Sequence, residues 1–259
     1  KRDRLGIGFQ AMQDQAGVAG LQTGSYQLSV AWHHLLDEKG NTVLSFGLQG
    51  GRLQRKIDLT NGDIKFGDEY NSSSGNFSVG TGLDSGRGND ASAFDLGLGV
   101  FLKSQASEVM AYRLGFSLGH LLQPNLSVID NADHQLNMRL QGVAGLDYDL
   151  NPRFRLSPTL YYANLGPANQ VQLQALAGYL IQPDKDIRLN FGLGYRFGDA
   201  GELLAGAEVK GFRLGLSYDI TFSDLRNANT GGAFEIAASY IARKYRQPDV
   251  KPVILCPEL

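Results

Sequence analysis

A chain of 259 residues with 24 Lys and Arg against 26 Asp and Glu carries a net charge of -2, too weak a field to draw nucleic acid or an anionic lipid surface. One cysteine, Cys256, excludes an intrachain disulfide, and no apolar run approaches the roughly 18 residues of a spanning helix. The 33 glycines are about twice ordinary usage, and the apolar residues fall on alternate positions, a pattern that transmembrane strands require and hydropathy averaging misses.

In chain order, the first predicted strand is Leu5–Ala11, where apolar residues alternate with Gly and Gln. Tyr26, Leu28, Val30 and Trp32 mark the second; Leu44, Phe46 and Leu48 mark the third. Phe94 to Leu102 is the fourth, with Asp95, Gly97 and Gly99 opposite and Phe101 interrupting the polar face. Tyr112–Leu118 carries Arg113, Gly115 and Ser117 opposite its apolar side. Leu136–Leu140 follows, with Asn137 and Arg139 on the polar side, then Phe154–Tyr162 and a strand from Val171 to Tyr179. Ile187–Phe197 is the clearest: large apolar residues at every odd position, and Arg188, Asn190, Gly192, Gly194 and Arg196 at the even ones. Eleven residues tilted near 40° rise roughly 28 Å, close to the hydrocarbon thickness of a bilayer. A short strand at Leu203–Val209, a long one at Phe212–Phe222 with Arg213 and Asp219 on its polar side, and Ala233–Ala242 complete about twelve.

The face with arginines cannot meet lipid, so Asp95, Arg113, Arg139, Arg188, Arg196, Arg213 and Asp219 are expected to face a lumen, and Phe116, Phe191, Leu193, Leu214 and Leu216 the lipid. A soluble antiparallel sandwich would bury one face as a core, and this polar face is too charged for that. Amphipathic rings near strand ends, Trp32, Tyr195, Tyr240 and Tyr245, suit the membrane interface. The expected fold is therefore an all-β, antiparallel transmembrane β-barrel over residues 1–246, followed by a periplasmic tail, 247–259.

Loop lengths sort by side. Asp37–Asn41, Ser104–Ala106, Leu150–Pro152, Pro183–Asp186 and Lys210–Gly211 are short and rich in turn formers. Between them lie longer connections at Gln13–Gly20, Leu59–Asp90, Gln123–Asp133 and Ser223–Gly231, with two short exceptions near Gly166 and Asp199. Outer-membrane barrels show this sorting, with short turns on the periplasmic side. Loops beyond about 12–15 residues are usually functional or disordered. Leu59–Asp90 is the longest, and Ile64, Phe66, Asp68, Tyr70 and Phe77 are its candidate contacts for a protein partner.

No chemistry-bearing constellation stands out. The Gly-x-Gly pairs at Gly97/Gly99 and Gly192/Gly194 lack the strand-then-helix setting of a nucleotide loop, and small lumenal residues are expected to leave room for a plug or partner. His33, His34, His120 and His134 have no metal-ligand spacing. Asp63, Asp68, Glu69, Asp84 and Asp90 do not match a calcium loop. No cofactor, metal or catalytic residue is expected. In the tail, Pro248, Pro252 and Pro257 forbid regular structure, while apolar Val253, Ile254, Leu255 and Cys256 point to packing at the periplasmic mouth.

Those residues carry a resemblance. G-G-A-F-E-I-A-A-S-Y-I at Gly231–Ile241 and K-P-V-I-L-C-P-E-L at Lys251–Leu259 resemble the C-terminal signature of the PorP/SprF family of Bacteroidota outer-membrane proteins. L-G-I-G-F-Q-A-M-Q-D-Q-A-G at Leu5–Gly17, L-S-F-G-L-Q-G-G at Leu44–Gly51, F-D-L-G-L-G-V at Phe94–Val100 and G-H-L-L-Q-P at Gly119–Pro124 are similar to other parts of it. The resemblance implies an integral outer-membrane protein that works with type IX secretion machinery. It also implies binding of the C-terminal domain of a secreted or gliding-adhesin cargo at the cell surface, with no enzymatic activity. The family has a signal peptide and further N-terminal strands, so the expectation is a missing N-terminus and about fourteen strands in all. A small-solute or hydrophobic-compound channel is the competing function; an outer-membrane lipase or protease is weaker, for want of a catalytic constellation.

Overall fold

The computed structural model describes residues 3–17, 20–58, 70–77, 88–128, 135–183, 186–223 and 232–242. Twelve strands form one antiparallel meander: β1 (Arg4–Ala16), β2 (Leu21–Leu35), β3 (Thr42–Asp58), β6 (Gly88–Gln105), β7 (Met110–Gly119), β8 (Arg139–Asn151), β9 (Phe154–Leu165), β10 (Ala168–Gln182), β11 (Ile187–Arg196), β12 (Ala200–Val209), β13 (Phe212–Thr221) and β14 (Ala233–Tyr240). A two-stranded hairpin, β4 (Tyr70–Asn71) with β5 (Asn76–Phe77), stands apart within the β3–β6 connection. Each main strand pairs with its neighbours in sequence, the topology of an up-and-down membrane barrel.

Burial is inverted relative to a protein folded in water. Phe191, Leu193, Phe116, Leu214 and Leu216 are exposed, while Asp95, Glu202 and Asp219 are buried. Leu53, Leu126 and Ala200 are the buried apolar side chains among the described residues. An aqueous fold would lose heavily by showing Phe and Leu to solvent while hiding carboxylates; a barrel in lipid gains from both. The ladders fix which residues share a face. Arg188 lies opposite Leu180 and Glu208, Asn190 opposite Gly178 and Gly206, and Arg196 opposite Gln172 and Ala200. Since side chains alternate along each strand, these belong to the lumen and Ile187, Leu189 and Phe191 to the outside.

Aromatic rings gather toward both ends of the outer face. Trp32 stacks on Phe46 at 6.0 Å, and Tyr195 meets Phe197 edge-on at 5.1 Å. Across β13 and β14, Phe212 pairs with Tyr240 and Tyr218 with Phe234. Such rings have an apolar body for the acyl chains and a polar edge for the headgroups.

Several strands outrun their sequence signal. β1, β2, β3 and β6 extend beyond the alternating segments into Gln13–Gln15, Gln22–Gly24, Gln54–Lys56 and Asn89–Ser92. At about 3.3 Å per residue and a tilt near 40°, seventeen residues rise about 43 Å, more than a hydrocarbon core of about 30 Å. The extra length stands in water, where neither face needs to be apolar. The strand expected at Leu136–Leu140 is instead β8, Arg139–Asn151, and Leu136 precedes it, its amide bonded to the Pro124 carbonyl at 3.0 Å. β8 puts Gly142 and Ala144 outside and Val143 inside, which blurs the period of two.

Short turns close one rim. Lys210 and Gly211 form a two-residue hairpin with φ of 50° and 86°, the left-handed pair that matches strand twist. At Asp37 the carboxylate accepts from the Thr42 amide at 2.7 Å and the Asn41 amide at 3.1 Å. The Thr42 bond, above all, holds the Asp37 carboxyl below its ordinary value. A depressed carboxylate stabilises the fold above its ordinary pKa of 3.8 and loses that effect as pH falls through the lower folded value. The amide protection factor of Thr42 is expected to stay level from about pH 7 to 5 and drop only below the ordinary carboxylate value, whereas Asp37→Ala should lower it at every pH.

Candidate functional site

The barrel interior is built from charged side chains folded over glycines. Arg113 projects from β7 across Gly145, its ladder partner on β8, so a Cβ there would lie 2.6 Å from Arg113 Nε. Its guanidinium donates to Asp147 at 2.7 Å and to the Thr159 hydroxyl at 2.9 Å. Glu202 likewise lies over Gly194, and Arg188 with Asn190 over Gly178. Arg155 clamps Asp149 through two bonds of 2.6 and 2.8 Å. Arg213 meets Glu208 at 3.2 Å, and Asn190 donates to the same carboxylate at 3.0 Å. Room was expected beside the small residues of this face for a plug or partner; at Gly145 and Gly194 a neighbouring strand's charged side chain takes it, and at Gly178 Asn190 and Arg188 do.

The densest cluster lies where β10, β11, β12 and β13 approach the loop-bearing rim. Arg196 donates to Asp199, Glu202 and Asp219, each at 2.9 Å. Gln172 donates to both Glu202 oxygens at 2.8 and 2.7 Å. Glu202 and Asp219 are buried, so their charges are met by protein groups and not by bulk water. Asp199, in the β11–β12 turn, is held below the ordinary carboxylate value chiefly by its bond from Arg196. On β6, Asp95 is 2% exposed and bonds His120 Nδ1 at 2.9 Å. His120 opens the β7–β8 connection at a φ of 54°, and the next amide, Leu121, donates to the Leu96 carbonyl at 3.0 Å. This connection is thereby tied to the inner wall, and it carries Leu126, only 1% exposed.

By ladder parity Asp95, Arg113, Arg139, Arg188, Arg196, Arg213 and Asp219 all share one face of the sheet, opposite to Phe116, Phe191 and Leu216. The fold brings Arg196 and Asp219 together; Arg113 and Asp95 stand in separate pairs, and Arg139 is exposed at the start of β8 without an ion pair to a described residue. Sequence reasoning passed over Glu202, Glu208 and Asp149. Glu202 and Glu208 do share parity on β12, but alanines and glycines on both faces of that strand hide the alternation.

At the opposite rim from the short turns, the β4–β5 hairpin presents Tyr70 and Phe77, cross-strand partners with ring centroids 5.2 Å apart and exposures of 51% and 40%. The segment read as one long connection, Leu59–Asp90, therefore holds a small hairpin, and Asp90 belongs to β6. Ile64, Phe66 and Asp68 lie outside the described residues, as do Tyr245 and the tail residues Val253, Ile254, Leu255 and Cys256.

In overall shape the chain is similar to the crystal structure of the Ralstonia pickettii toluene transporter TbuX, with 11% identity, a TM-score of 0.49, and coverage of 86% of this chain and 73% of that one. No curated protein matches the sequence. The model of the type IX secretion system membrane protein PorP/SprF family matches residues 1–240, which takes in every strand from β1 to β14. With its antiparallel barrel, inverted burial and sorted loops, this chain belongs to the type IX secretion system membrane protein family PorP/SprF.

Proposed function

We propose that the chain is a non-enzymatic, integral outer-membrane barrel that acts with the type IX secretion machinery. In this reading it binds the C-terminal domain of a secreted or adhesin-type cargo and anchors it at the cell surface. The family match over residues 1–240 carries the proposal. The two rims support it: turns of a few residues close one, while the other bears the 59–87 connection with its exposed Tyr70–Phe77 pair. Paired aromatic rings on a polar loop give contact area at little loss of side-chain entropy, the usual currency of protein recognition. Ile64, Phe66, Asp68, Tyr70 and Phe77 are the proposed cargo contacts. The tail segment Val253–Cys256 is proposed to pack at the periplasmic mouth.

Replacing residues 59–87 by a few glycines and serines tests the reading. The barrel is expected to insert and keep its heat-modifiable gel mobility, because the β3–β6 ladder does not depend on this connection for closure. Cargo on intact cells, counted by surface immunofluorescence, should fall to background, and Tyr70→Ser with Phe77→Ser should reduce it in part. Full cargo retention by the correctly inserted shortened barrel would refute the assignment. A steady current through the wild-type protein in planar bilayers would favour the small-solute or hydrophobic-compound channel.

A further inference from the structure

We infer that the lumen contains a binding site for a free single-chain hydrocarbon amphiphile, seated among Phe101, Val143 and Tyr161. A cavity of about 480 Å³ lies there against the inner wall of β2, β3, β6, β7, β8 and β9. Cavities that take small ligands span roughly 300–1,000 Å³, and an apolar one of roughly 150 Å³ holds benzene. This one has room for an alkyl chain or a substituted ring.

Its chemistry separates it from the rest of the lumen. Among the described residues lining it there is no Asp, Glu, Lys or Arg. The polar side chains present are spent on one another. His33 Nδ1 is 2.7 Å from Ser45 Oγ; the Ser117 hydroxyl donates to Gln141 at 3.4 Å, and Gln141 donates to the Tyr161 hydroxyl at 2.5 Å. A sugar or an ion would have to break these bonds to gain new ones, whereas hydrocarbon needs only the carbon faces they leave. Phe101 and Val143 are apolar side chains on this stretch of the inner wall, and both lean over Gly115, where a Cβ would lie 2.9 and 2.8 Å from them. The floor at Gly47 is open: a Cβ there meets nothing nearer than 3.9 Å, so local packing does not demand the glycine. Access is from the lumen. β6, β7 and β8 pair without a shift through Leu98–Gln105 and Met110–Gly119, so the wall has no gap that would admit bilayer chains. The occupant is therefore a free amphiphile that enters by a mouth, not a neighbouring phospholipid. This site is independent of the cargo reading and of the 59–87 connection.

The test is equilibrium binding of radiolabelled decanol to the intact protein in phosphatidylcholine nanodiscs, with empty nanodiscs subtracted. One saturable site per barrel is expected. Gly47→Leu fills the floor and should weaken binding at least tenfold. Gly215→Leu, on β13 away from the cavity's lining, where a Cβ also meets nothing nearer than 4.0 Å, should leave it unchanged. If Gly47→Leu loses its heat-modifiable mobility, Phe101→Ser takes its place with the same expected loss. Chain-brominated phosphatidylcholine in the discs should not compete with decanol; competition would assign the cavity to bilayer lipid. Absence of saturable binding, or binding that neither niche variant changes, would overturn the site.

Discussion

Replacing Arg196 by methionine is expected to destabilise the barrel by about 3–5 kcal/mol, the range found when one partner of a buried ion cluster is removed. Three carboxylates, Asp199, Glu202 and Asp219, share that one guanidinium. Methionine keeps an unbranched stem of similar packing but drops the guanidinium, so most of the loss reports the charge and its hydrogen bonds. Asp199 sits in a turn and can turn to water, but the Glu202 and Asp219 side chains are only 5% and 13% exposed. Gln172 can donate to Glu202 but cannot neutralise it. Two buried carboxylates on adjacent strands, directly opposite in the β12–β13 ladder, would then face each other uncompensated. Urea unfolding in detergent micelles, followed by Trp32 fluorescence, measures the change. Adding Glu202→Gln and Asp219→Asn to Arg196→Met should restore most of the loss, because the charges that needed the arginine are gone. A loss below about 1 kcal/mol would show that lumenal water screens the cluster as it does a surface pair.

The contrast between β11 and β8 shows what made the fold legible. In Ile187–Arg196 the outer residues are all large and the inner ones polar or glycine, so sequence alone gives strand, faces and approximate length. In Arg139–Asn151 the lipid-facing positions include Gly142 and Ala144, and Val143 points inward, so the same rule finds only the strand's first two residues. The difference is physical. Lipid tolerates a small outer residue, since no partner must fill the space, and the alternation weakens without harm to the fold. Beyond the bilayer the rule loses its cause: the ends of β3 and β6 are held by backbone pairing, as in Lys56 with Asp90, with water on both faces. The charged residues were legible as members of one face, because side chains alternate along each strand. Their partners were not. That Arg196 meets Glu202 and Asp219, or that His120 meets Asp95, depends on how far each strand is shifted along its neighbour, and turn lengths alone do not fix that shift.

Leu216→Arg is expected to cost about 2–4 kcal/mol, whereas Leu214→Arg, on the same face two residues earlier, should cost about 0–1 kcal/mol. Both leucines are exposed, at 40% and 41%, so neither change opens a cavity or overfills a core. What separates them is depth. β13 runs from Phe212 to Thr221, and at about 3.3 Å per residue with a tilt near 40° it rises about 25 Å. Leu216 lies at its middle, opposite Ala205 and Ile236, with acyl chains around it. Leu214 lies one pleat from the Lys210–Gly211 turn, close enough for an arginine to extend its guanidinium to the headgroups. Ser217→Arg completes the comparison. It shares the depth of Leu216 but points into the lumen toward Glu235, so it should change stability by less than about 0.5 kcal/mol. Reversible unfolding from lipid vesicles gives all three values on one scale. Equal losses for Leu216→Arg and Ser217→Arg would contradict the assignment of faces. Equal losses for Leu214→Arg and Leu216→Arg would mean that the midplane crosses β13 nearer its turn than the strand length implies.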